Sequence, residues 1–386
     1  MDGLLENFSA SAKTNFTGNP HANLYAALAV AVPIVYGCIC ILGILGNLLV
    51  IFVTVRYKST GSVPSVYVLN LAAADLLFMI ALAFLAYQHA FHEWTIGPIV
   101  CKIVIAFDGL NQFTSVYTLT LMSIDRYLAI AHGLRSITFR TVYNARIICF
   151  FIWVFSALCV LPLWIYGNIV PEANGTLLCN TNWPYEHFES VYVFYSFGLG
   201  FALPLTIIVA SYICMLRYLV ITKRPSSTQS SKKESKRVAI LVFAIVAAFV
   251  VCWLPFYVVQ LRLALSDTAQ SAPSAALVVA FILSTGLSYS NSCINPVIYT
   301  FIGRKFRAGF LPFANTICCR RRRRRGRRRV RRTLSGSSDT TYGSKRSSNQ
   351  KVWSWRDKFT ASTMCCLKGN AQFNEFMLFV HGNVIC

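Results

Sequence analysis

The stretch from Ile99 to Ala131 reads IVCKIVIAFDGLNQFTSVYTLTLMSIDRYLAIA and indicates how the chain folds. It is mainly apolar and exceeds the about 20 residues that a helix needs to cross about 30 Å of hydrocarbon. Polar residues nevertheless interrupt it, among them Asp108, Asp125 and Arg126. Because ionisable groups at membrane depth are costly and almost always face the interior of a helix bundle, the stretch predicts a membrane-spanning helix that packs against other helices.

Six further apolar stretches of comparable length flank this one. The seven predicted spans are Leu24–Val55, Val66–Ala90, Ile99–Ala131, Ala145–Ile169, Val191–Val220, Val238–Leu265 and Ala275–Phe301. Lys and Arg are concentrated in the connections after the first, third and fifth spans, and such connections usually face the cytosol. We therefore expect an all-α membrane protein, a seven-transmembrane helix bundle in the plasma membrane with its N-terminus outside.

Composition agrees with a membrane protein. Apolar residues make up 55% of the 386 residues and charged residues only 13%, whereas soluble domains have about 25% charged residues. The net charge is nevertheless +22, and Arg320–Arg332 alone contains 11 arginines in 13 residues. A run of arginines just after a membrane domain favours contact with anionic lipids of the inner leaflet over a nucleic-acid partner.

These features divide the chain into four predicted parts. They are an extracellular N-terminus (residues 1–23), the bundle (24–303), a short amphipathic eighth helix with a palmitoylation segment (304–319), and a disordered, basic, Ser/Thr-rich cytosolic tail (320–386). The predicted palmitoylation sites are Cys318 and Cys319. The Ser/Thr-rich part of the tail predicts phosphorylation by protein kinases.

Other modifications are predicted on the outer side. Cys101 and Cys179 both face an oxidising compartment in this topology, where a disulfide forms and persists. Three Asn-x-Ser/Thr sequons, at Asn7, Asn15 and Asn174, fall on the same side and predict glycosylation. No Cys/His spacing resembles a zinc site.

The acids of the third span define two separate sites. Asp108 lies about two turns from Cys101, and Asp125 and Arg126 lie about 26 Å further along the helix. An unpaired anion near the outer opening suits a ligand cation, whereas a charge pair at the inner face suits a switch. Asp75 in the second span either binds a small monovalent cation among neutral oxygens or stays protonated.

Prolines within three spans predict interrupted helices. Pro204, Pro255 and Pro296 each remove a backbone hydrogen bond and kink a helix. Such kinks allow parts of a bundle to swing.

In order along the chain, these residues resemble the rhodopsin-like (class A) G-protein-coupled receptors over about residues 30 to 310. The matching motifs are Gly46-Asn47, Leu71-Ala72-Ala73-Ala74-Asp75, Asp125-Arg126-Tyr127, Trp153, Pro204 with Tyr212, Cys252-Trp253-Leu254-Pro255, and Asn295-Pro296-Val297-Ile298-Tyr299. Within that class, FDGLNQFTSVYTLTLMSIDRYLAI, CNTNWP, LGFALPLTII, CWLPFYVVQ and YSNSCINP are similar to somatostatin receptors, with allatostatin-C and opioid receptors as neighbours.

The resemblance implies a role for particular residues. Ligand-binding positions would be Asp108, Gln88, Gln112, Trp253, Phe256, Tyr257, Gln260, Phe281 and Tyr289. The sodium site would comprise Asp75, Asn111, Ser115, Asn291 and Asn295. The activation switch would comprise Asp125, Arg126, Tyr127, Phe249, Pro204, Tyr212, Pro255, Pro296 and Tyr299. No register-matched acid in the sixth span is evident for Arg126, so Asp125 is expected to be its only inactive-state partner.

The implied function is a receptor for a somatostatin-like or allatostatin-C-like neuropeptide that signals through an inhibitory heterotrimeric G protein. The alternatives are another peptide, opioid-like or galanin-like, or a biogenic amine. No cofactor is expected apart from an allosteric sodium ion. A transporter would predict internal repeats, which the sequence lacks. A retinal-binding light sensor would need a lysine in Ala275–Phe301, which contains none. An enzyme is not expected, because no nucleophile–base pair appears.

Overall fold

The computed structural model describes residues 22–56, 61–172, 175–221, 229–266 and 274–302. In this part of the chain, seven helices are long and apolar enough to cross a membrane. Six are single helices: α1 (Ala22–Arg56), α2 (Val63–Phe91), α3 (Pro98–Ala131), α4 (Val142–Cys159), α6 (Gln229–Ala264) and α7 (Ala275–Ile302). The fifth, α5, joins Glu186–Phe197, a π-helical turn Gly198–Ala202 and Leu203–Ile221. The seven predicted spans are thereby confirmed as helices, with one exception in the fourth.

The fourth predicted span was too long. α4 ends at Cys159, a short helix follows at Leu161–Tyr166, and Gly167–Pro171 is a β-strand, β1. Pro162 sits at the start of the short helix, where its missing N–H interrupts the helical hydrogen bonds. The apolar composition of this stretch predicts burial, but not which backbone conformation supplies it.

The predicted helix bundle is confirmed, and the described residues also contain a two-stranded sheet that was not predicted. β1 pairs antiparallel with β2 (Leu177–Thr181), and Ile169 lies opposite Cys179. Trp94 N donates to Leu177 O over 2.7 Å, which fastens β2 to the chain between α2 and α3. This hairpin lies beside the end of α3 that carries Cys101.

α3 is the central helix of the bundle and contacts α2, α4, α5, α6 and both strands. Its apolar face contributes Val116, Leu119 and Met122 to the largest buried cluster, which also contains Phe249 and Tyr299. On α1 and α4, by contrast, large apolar side chains are exposed on the outside of the bundle, for example Ile41, Leu42, Leu45, Phe150 and Phe151. An apolar exterior of this extent suits lipid contact rather than water.

Two tyrosine hydroxyls bond the backbone of α5 near its π-helical turn. Pro255 and Pro296 lie inside α6 and α7, and Pro204 follows the π-helical turn of α5. At that turn, Tyr117 Oη donates to Leu199 O and Tyr257 Oη donates to Ser196 O, each over 3.0 Å. Hydroxyls from α3 and α6 therefore bond backbone carbonyls at and just before the π-helical turn.

Several predictions fall on residues outside the described ranges. They are the glycosylation sites Asn7, Asn15 and Asn174, the palmitoylation sites Cys318 and Cys319, the amphipathic eighth helix and the tail. These stay predictions.

Candidate ligand cavity and switch residues

A cavity of about 250 Å³ opens at the end of the bundle that carries Cys101, which we call the disulfide end. Side chains from α1, α2, α3, α5, α6, α7 and β2 line it. Eight of the nine predicted ligand positions are among them: Gln88, Asp108, Gln112, Phe256, Tyr257, Gln260, Phe281 and Tyr289. The helices thus bring to one cavity residues that lie up to 201 positions apart in the sequence.

The predicted disulfide between Cys101 and Cys179 is present and joins α3 to β2. Both residues are buried in a small apolar cluster with Trp94 and Val104. The link therefore holds the hairpin at the rim of the cavity, where Cys179 itself is a lining residue.

Gln88 lines the cavity, but its polar side-chain atoms form hydrogen bonds with the hairpin. Cys179 N donates to Gln88 Oε1 over 2.8 Å, and Gln88 Nε2 donates back to Cys179 O over 3.4 Å. The side-chain amide thereby pairs with the edge of β2 as a neighbouring backbone amide would. Gln88 therefore holds β2 in place, although it was predicted as a ligand position.

Asp108 differs from Gln88 in having no polar partner among the described residues. Its side chain is half-buried on α3 and faces the cavity. No hydrogen-bond or ion-pair partner for its carboxylate occurs in the described part of the chain. Gln112 Nε2, one turn along α3, is buried and likewise has no hydrogen-bond acceptor among the described residues. An unpaired acceptor and an unpaired donor therefore stand one turn apart on the same wall, ready for a ligand's cation and carbonyl.

Trp253 does not line the cavity, unlike the other predicted ligand positions. Its ring lies 5.7 Å from that of Phe256 and 6.2 Å from that of Tyr257, which do line it. On its other side, the ring of Phe249 lies 6.0 Å away. Trp253 therefore lies between two rings that line the cavity, those of Phe256 and Tyr257, and the buried ring of Phe249.

Asp75 lies in the middle of the bundle and is fully buried. Three side chains donate to its carboxylate: Asn111 Nδ2 over 3.1 Å, Ser292 Oγ over 2.8 Å and Asn295 Nδ2 over 2.9 Å. Two other predicted sodium ligands are buried without hydrogen bonds among the described residues, namely Ser115 through Oγ and Asn291 through Oδ1.

These oxygens fit a small cation. A carboxylate, a hydroxyl and amide carbonyls are hard oxygen ligands, the type that group-one and group-two cations prefer. The unpaired oxygens of Ser115, Asn291 and Asn295 supply neutral donors in addition to the charge of Asp75. Ser292 was not predicted as a site residue, although it lies three positions before Asn295 and hence on the same helix face.

At the opposite end of α3, Asp125 binds two arginines. It forms an ion pair with Arg126, as predicted, and accepts from Arg140 Nε over 2.7 Å and Arg140 Nη2 over 3.2 Å. The side chain of Asp125 is only 5% exposed. The sequence analysis predicted the partner of Arg126 but no second arginine for Asp125. Arg140 was missed because it lies in the connection to α4 and not on α3.

The tyrosines predicted for the switch lie in different surroundings. Tyr127 is directed elsewhere, with Oη 3.4 Å from His132 Nε2 in an exposed contact. Tyr299 is fully buried in the large core cluster, and Tyr212 packs against that cluster, 5.9 Å from the ring of Phe243.

Comparison with known proteins gives a consistent result. Residues 46–299 match the family described as "7 transmembrane receptor (rhodopsin family)". The chain is 38% identical over 292 residues to somatostatin receptor type 4 of Rattus norvegicus, covering 75% of this chain and 74% of that receptor. It is 39% identical over 306 residues to somatostatin receptor type 3 of Homo sapiens (77% and 71% covered). It is also 39% identical over 291 residues to somatostatin receptor type 2 of Sus scrofa (74% and 76% covered).

These matches confirm the resemblance inferred from the motifs. With its seven apolar helices, the protein is a multi-pass protein of the plasma membrane and a receptor rather than an enzyme. The chain belongs to the seven-transmembrane receptors of the rhodopsin family.

Proposed function

We propose that this chain is a receptor for a somatostatin-like peptide, one basic group of which pairs with Asp108. The observation that carries the proposal is the unpaired carboxylate of Asp108 in the cavity at the disulfide end. The somatostatin receptors to which the chain is similar support the choice of a peptide. An allatostatin-C-like peptide is the variant of this proposal that the motif resemblance also implies.

In this proposal the disulfide end faces outward and the Asp125 end faces the cytosol. The concentration of Lys and Arg in the connections after α1, α3 and α5 supports that orientation. The N-terminus would then lie outside and the arginine run Arg320–Arg332 would lie near the anionic inner leaflet. Receptor kinases and arrestin would act on the Ser/Thr-rich segment that follows.

Signal transfer would be a shift in population between two conformations. Bound peptide displaces Phe256 and Tyr257, and Trp253 and Phe249 pass the change along α6 beside Pro255. Arg126 then leaves Asp125 and meets the G protein, which we expect to be of the inhibitory class. Such a shift requires only that the peptide bind one conformation more tightly than the other.

A sodium ion at Asp75 would be an allosteric ligand of the same receptor. The buried, unpaired oxygens of Ser115, Asn291 and Asn295 support this proposal. These groups come from α3 and α7, while Asp75 comes from α2, so the ion would hold three helices together.

The test is peptide binding and second-messenger output in cells that express the native receptor, Asp108→Asn or a matched control. Glu93→Gln is that control, because Glu93 is an exposed acid near the disulfide end that does not line the cavity. Loss of a desolvated charge pair costs about 2 kcal/mol or more, so Asp108→Asn should weaken binding by roughly 30-fold or more.

Two outcomes test the pairing of the ligand with Asp108 and the coupling to inhibitory G proteins independently. Equal potency of somatostatin and allatostatin-C peptides on native and Asp108→Asn receptors would refute the Asp108 pairing. Responses that survive a toxin against inhibitory G proteins would refute the coupling and leave the ligand proposal standing.

A further inference from the structure

One wall of the ligand cavity is built by α1, α2 and α7, and we call it the α1–α2–α7 wall. Its residues are Val32, Tyr36, Leu85, His89, Ile282 and Tyr289. All of them except His89 belong to one apolar cluster or pack against it. His89 and Tyr36 were not predicted as ligand positions, although both line the same cavity as Asp108.

The rings of this wall contact one another edge to face. The ring of Tyr36 lies 5.4 Å from that of His89 and 5.2 Å from that of Tyr289, at interplanar angles of 84° and 68°. The ring of Phe78 lies 5.2 Å from that of Tyr289 on α7. Aromatic rings prefer such arrangements over face-to-face stacking, so His89, Tyr36 and Tyr289 form one aromatic cluster at the cavity.

The polar atoms of this cluster are unpaired. In the part of the chain that the structure describes, neither hydroxyl of Tyr36 and Tyr289 and neither ring nitrogen of His89 has a hydrogen-bond partner. By contrast, Tyr257 also lines the cavity and donates to Ser196 O over 3.0 Å. A phenol and a neutral imidazole each offer one donor and one acceptor. An apolar ligand would desolvate these groups without replacing their hydrogen bonds, so the wall favours a ligand with a polar head.

The charge of Asp108 restricts that polar head further. Tyr36 and Tyr289 both lie within electrostatic reach of Asp108. The carboxylate would repel an anionic group at this wall, and the proposed function already assigns the basic group of the ligand to Asp108. The group that suits the wall is therefore an uncharged aromatic ring that carries a hydrogen-bonding head.

We propose that the α1–α2–α7 wall is a second subsite that binds a tyrosine side chain of the peptide. The ring of that tyrosine packs against Tyr36 and Tyr289, and its hydroxyl bonds a ring nitrogen of His89. His89 is then a specificity-determining residue that selects tyrosine over phenylalanine. This inference rests on the proposed function, and it adds the side chain that the ligand places beside its basic group.

The experiment uses synthetic cyclic peptides of the somatostatin type, each with one lysine. In the parent peptide, phenylalanine occupies every aromatic position, and in each further peptide one of these is replaced by tyrosine, which adds only a hydroxyl. Displacement of the labelled parent peptide is measured on membranes with native receptor, His89→Phe, His89→Leu or a control. The control is His187→Phe, because His187 is an exposed histidine of α5 that does not line the cavity.

On the native receptor we expect one tyrosine peptide to bind about fivefold more tightly than the parent, which corresponds to about 1 kcal/mol. His89→Phe and His89→Leu should remove this preference, whereas His187→Phe should keep it, as in a double-mutant cycle. Binding of the parent peptide, which lacks the hydroxyl, reports whether each variant is folded. Equal binding of all peptides to the native receptor, or an undiminished preference in either His89 variant, would overturn the proposal.

Asp108→Asn distinguishes this inference from the proposed function. That variant should weaken all peptides alike and leave the ratio between the tyrosine peptide and the parent unchanged. If Asp108→Asn binds every peptide as the native receptor does, the Asp108 pairing fails, whereas a tyrosine preference that depends on His89 still supports the subsite.

If no peptide of this type binds the native receptor, the subsite is tested alone. Purified receptor is then heated with N-acetyltyrosinamide or with N-acetylphenylalaninamide, which differ only in the hydroxyl and carry no charge. A larger rise in melting temperature with the tyrosine derivative, lost in His89→Phe and kept in His187→Phe, would support the inference. Equal or absent shifts would overturn it.

Discussion

Asp125 is shared by two arginines, Arg126 on α3 and Arg140 in the connection to α4. In the proposed mechanism, activation requires Arg126 to leave Asp125. We therefore expect Arg140→Gln to stabilise the resting state, because Asp125 is then left to Arg126 alone. The gain should be at most about 1 kcal/mol for a partly exposed pair, seen as up to about a fivefold loss of agonist potency in a second-messenger assay.

The matched control for this prediction is Arg146→Gln, since Arg146 is an exposed arginine on α4. A rise in basal signalling of Arg140→Gln would contradict the prediction. It would mean that Arg140 orients Asp125 toward Arg126 instead of competing with it.

At the scale of an element, the π-helical turn of α5 depends on a small residue. A Cβ on Gly200 would lie 2.9 Å from Gln112 Nε2 and 3.1 Å from Tyr257 Oη. Gly200→Ala should therefore displace both polar groups, which line the ligand cavity, and weaken peptide binding by about fivefold, or about 1 kcal/mol. The measurement is radioligand displacement on membranes.

Gly198→Ala is the control from the same turn, because a Cβ there meets nothing within 4 Å. Its binding should match that of the native receptor. If both alanine variants bind equally well, close packing at Gly200 does not set the position of Gln112 and Tyr257.

Elements were predictable to different degrees. Long apolar runs predicted seven helices, because crossing hydrocarbon with all backbone groups paired demands helix. The hairpin was not predictable, since β1 and β2 are five residues each and β2 contacts the disulfide and Gln88 only through residues far away in the sequence. The π-helical turn was not predictable either, because Gly198–Ala202 is apolar like its surroundings.

For the whole molecule, the Cys101–Cys179 link closes a loop of 78 positions. The chain-entropy estimate for such a closure is about 4 kcal/mol. We expect Cys101→Ser to lose surface expression and peptide binding, because β2 is then held at the cavity mainly by Gln88 and Trp94. Flow cytometry of an N-terminally tagged receptor and saturation binding would measure this.

Cys38→Ser is the comparison, since Cys38 is a free, exposed cysteine on α1. It should be expressed and bind normally. Unchanged binding of Cys101→Ser would show that hydrogen bonds alone position the hairpin.

A second effect on the whole molecule concerns sodium. An ion at Asp75 would tie α2, α3 and α7 together and favour the conformation in which they surround it, whereas agonist favours another. Replacing sodium chloride with choline chloride at equal ionic strength should therefore raise agonist affinity by about fivefold, a coupling of about 1 kcal/mol. Asp75→Asn should abolish the difference, and a persisting sodium effect in that variant would exclude this site.

The candidate site was predictable where chemistry forces a choice. An acid at membrane depth costs free energy unless a partner or a polar cavity stabilises it, so Asp108, Asp75 and Asp125 stood out from the sequence. Arg140 and Ser292 did not, because arginine and serine near helix ends or among polar neighbours cost little. Their importance comes only from what lies opposite them in space.

The sequence by itself determined the number of membrane helices, the receptor family, the disulfide and the acid that faces the cavity. These follow from local constraints, namely the length of apolar runs, the cost of buried charge, and motifs with characteristic spacing. The tertiary structure alone decided that Gln88 holds a strand, that Trp253 lies behind the cavity wall, and that Arg140 reaches Asp125. Such contacts join residues on different helices, and their distances depend on how the helices pack, which no local pattern records.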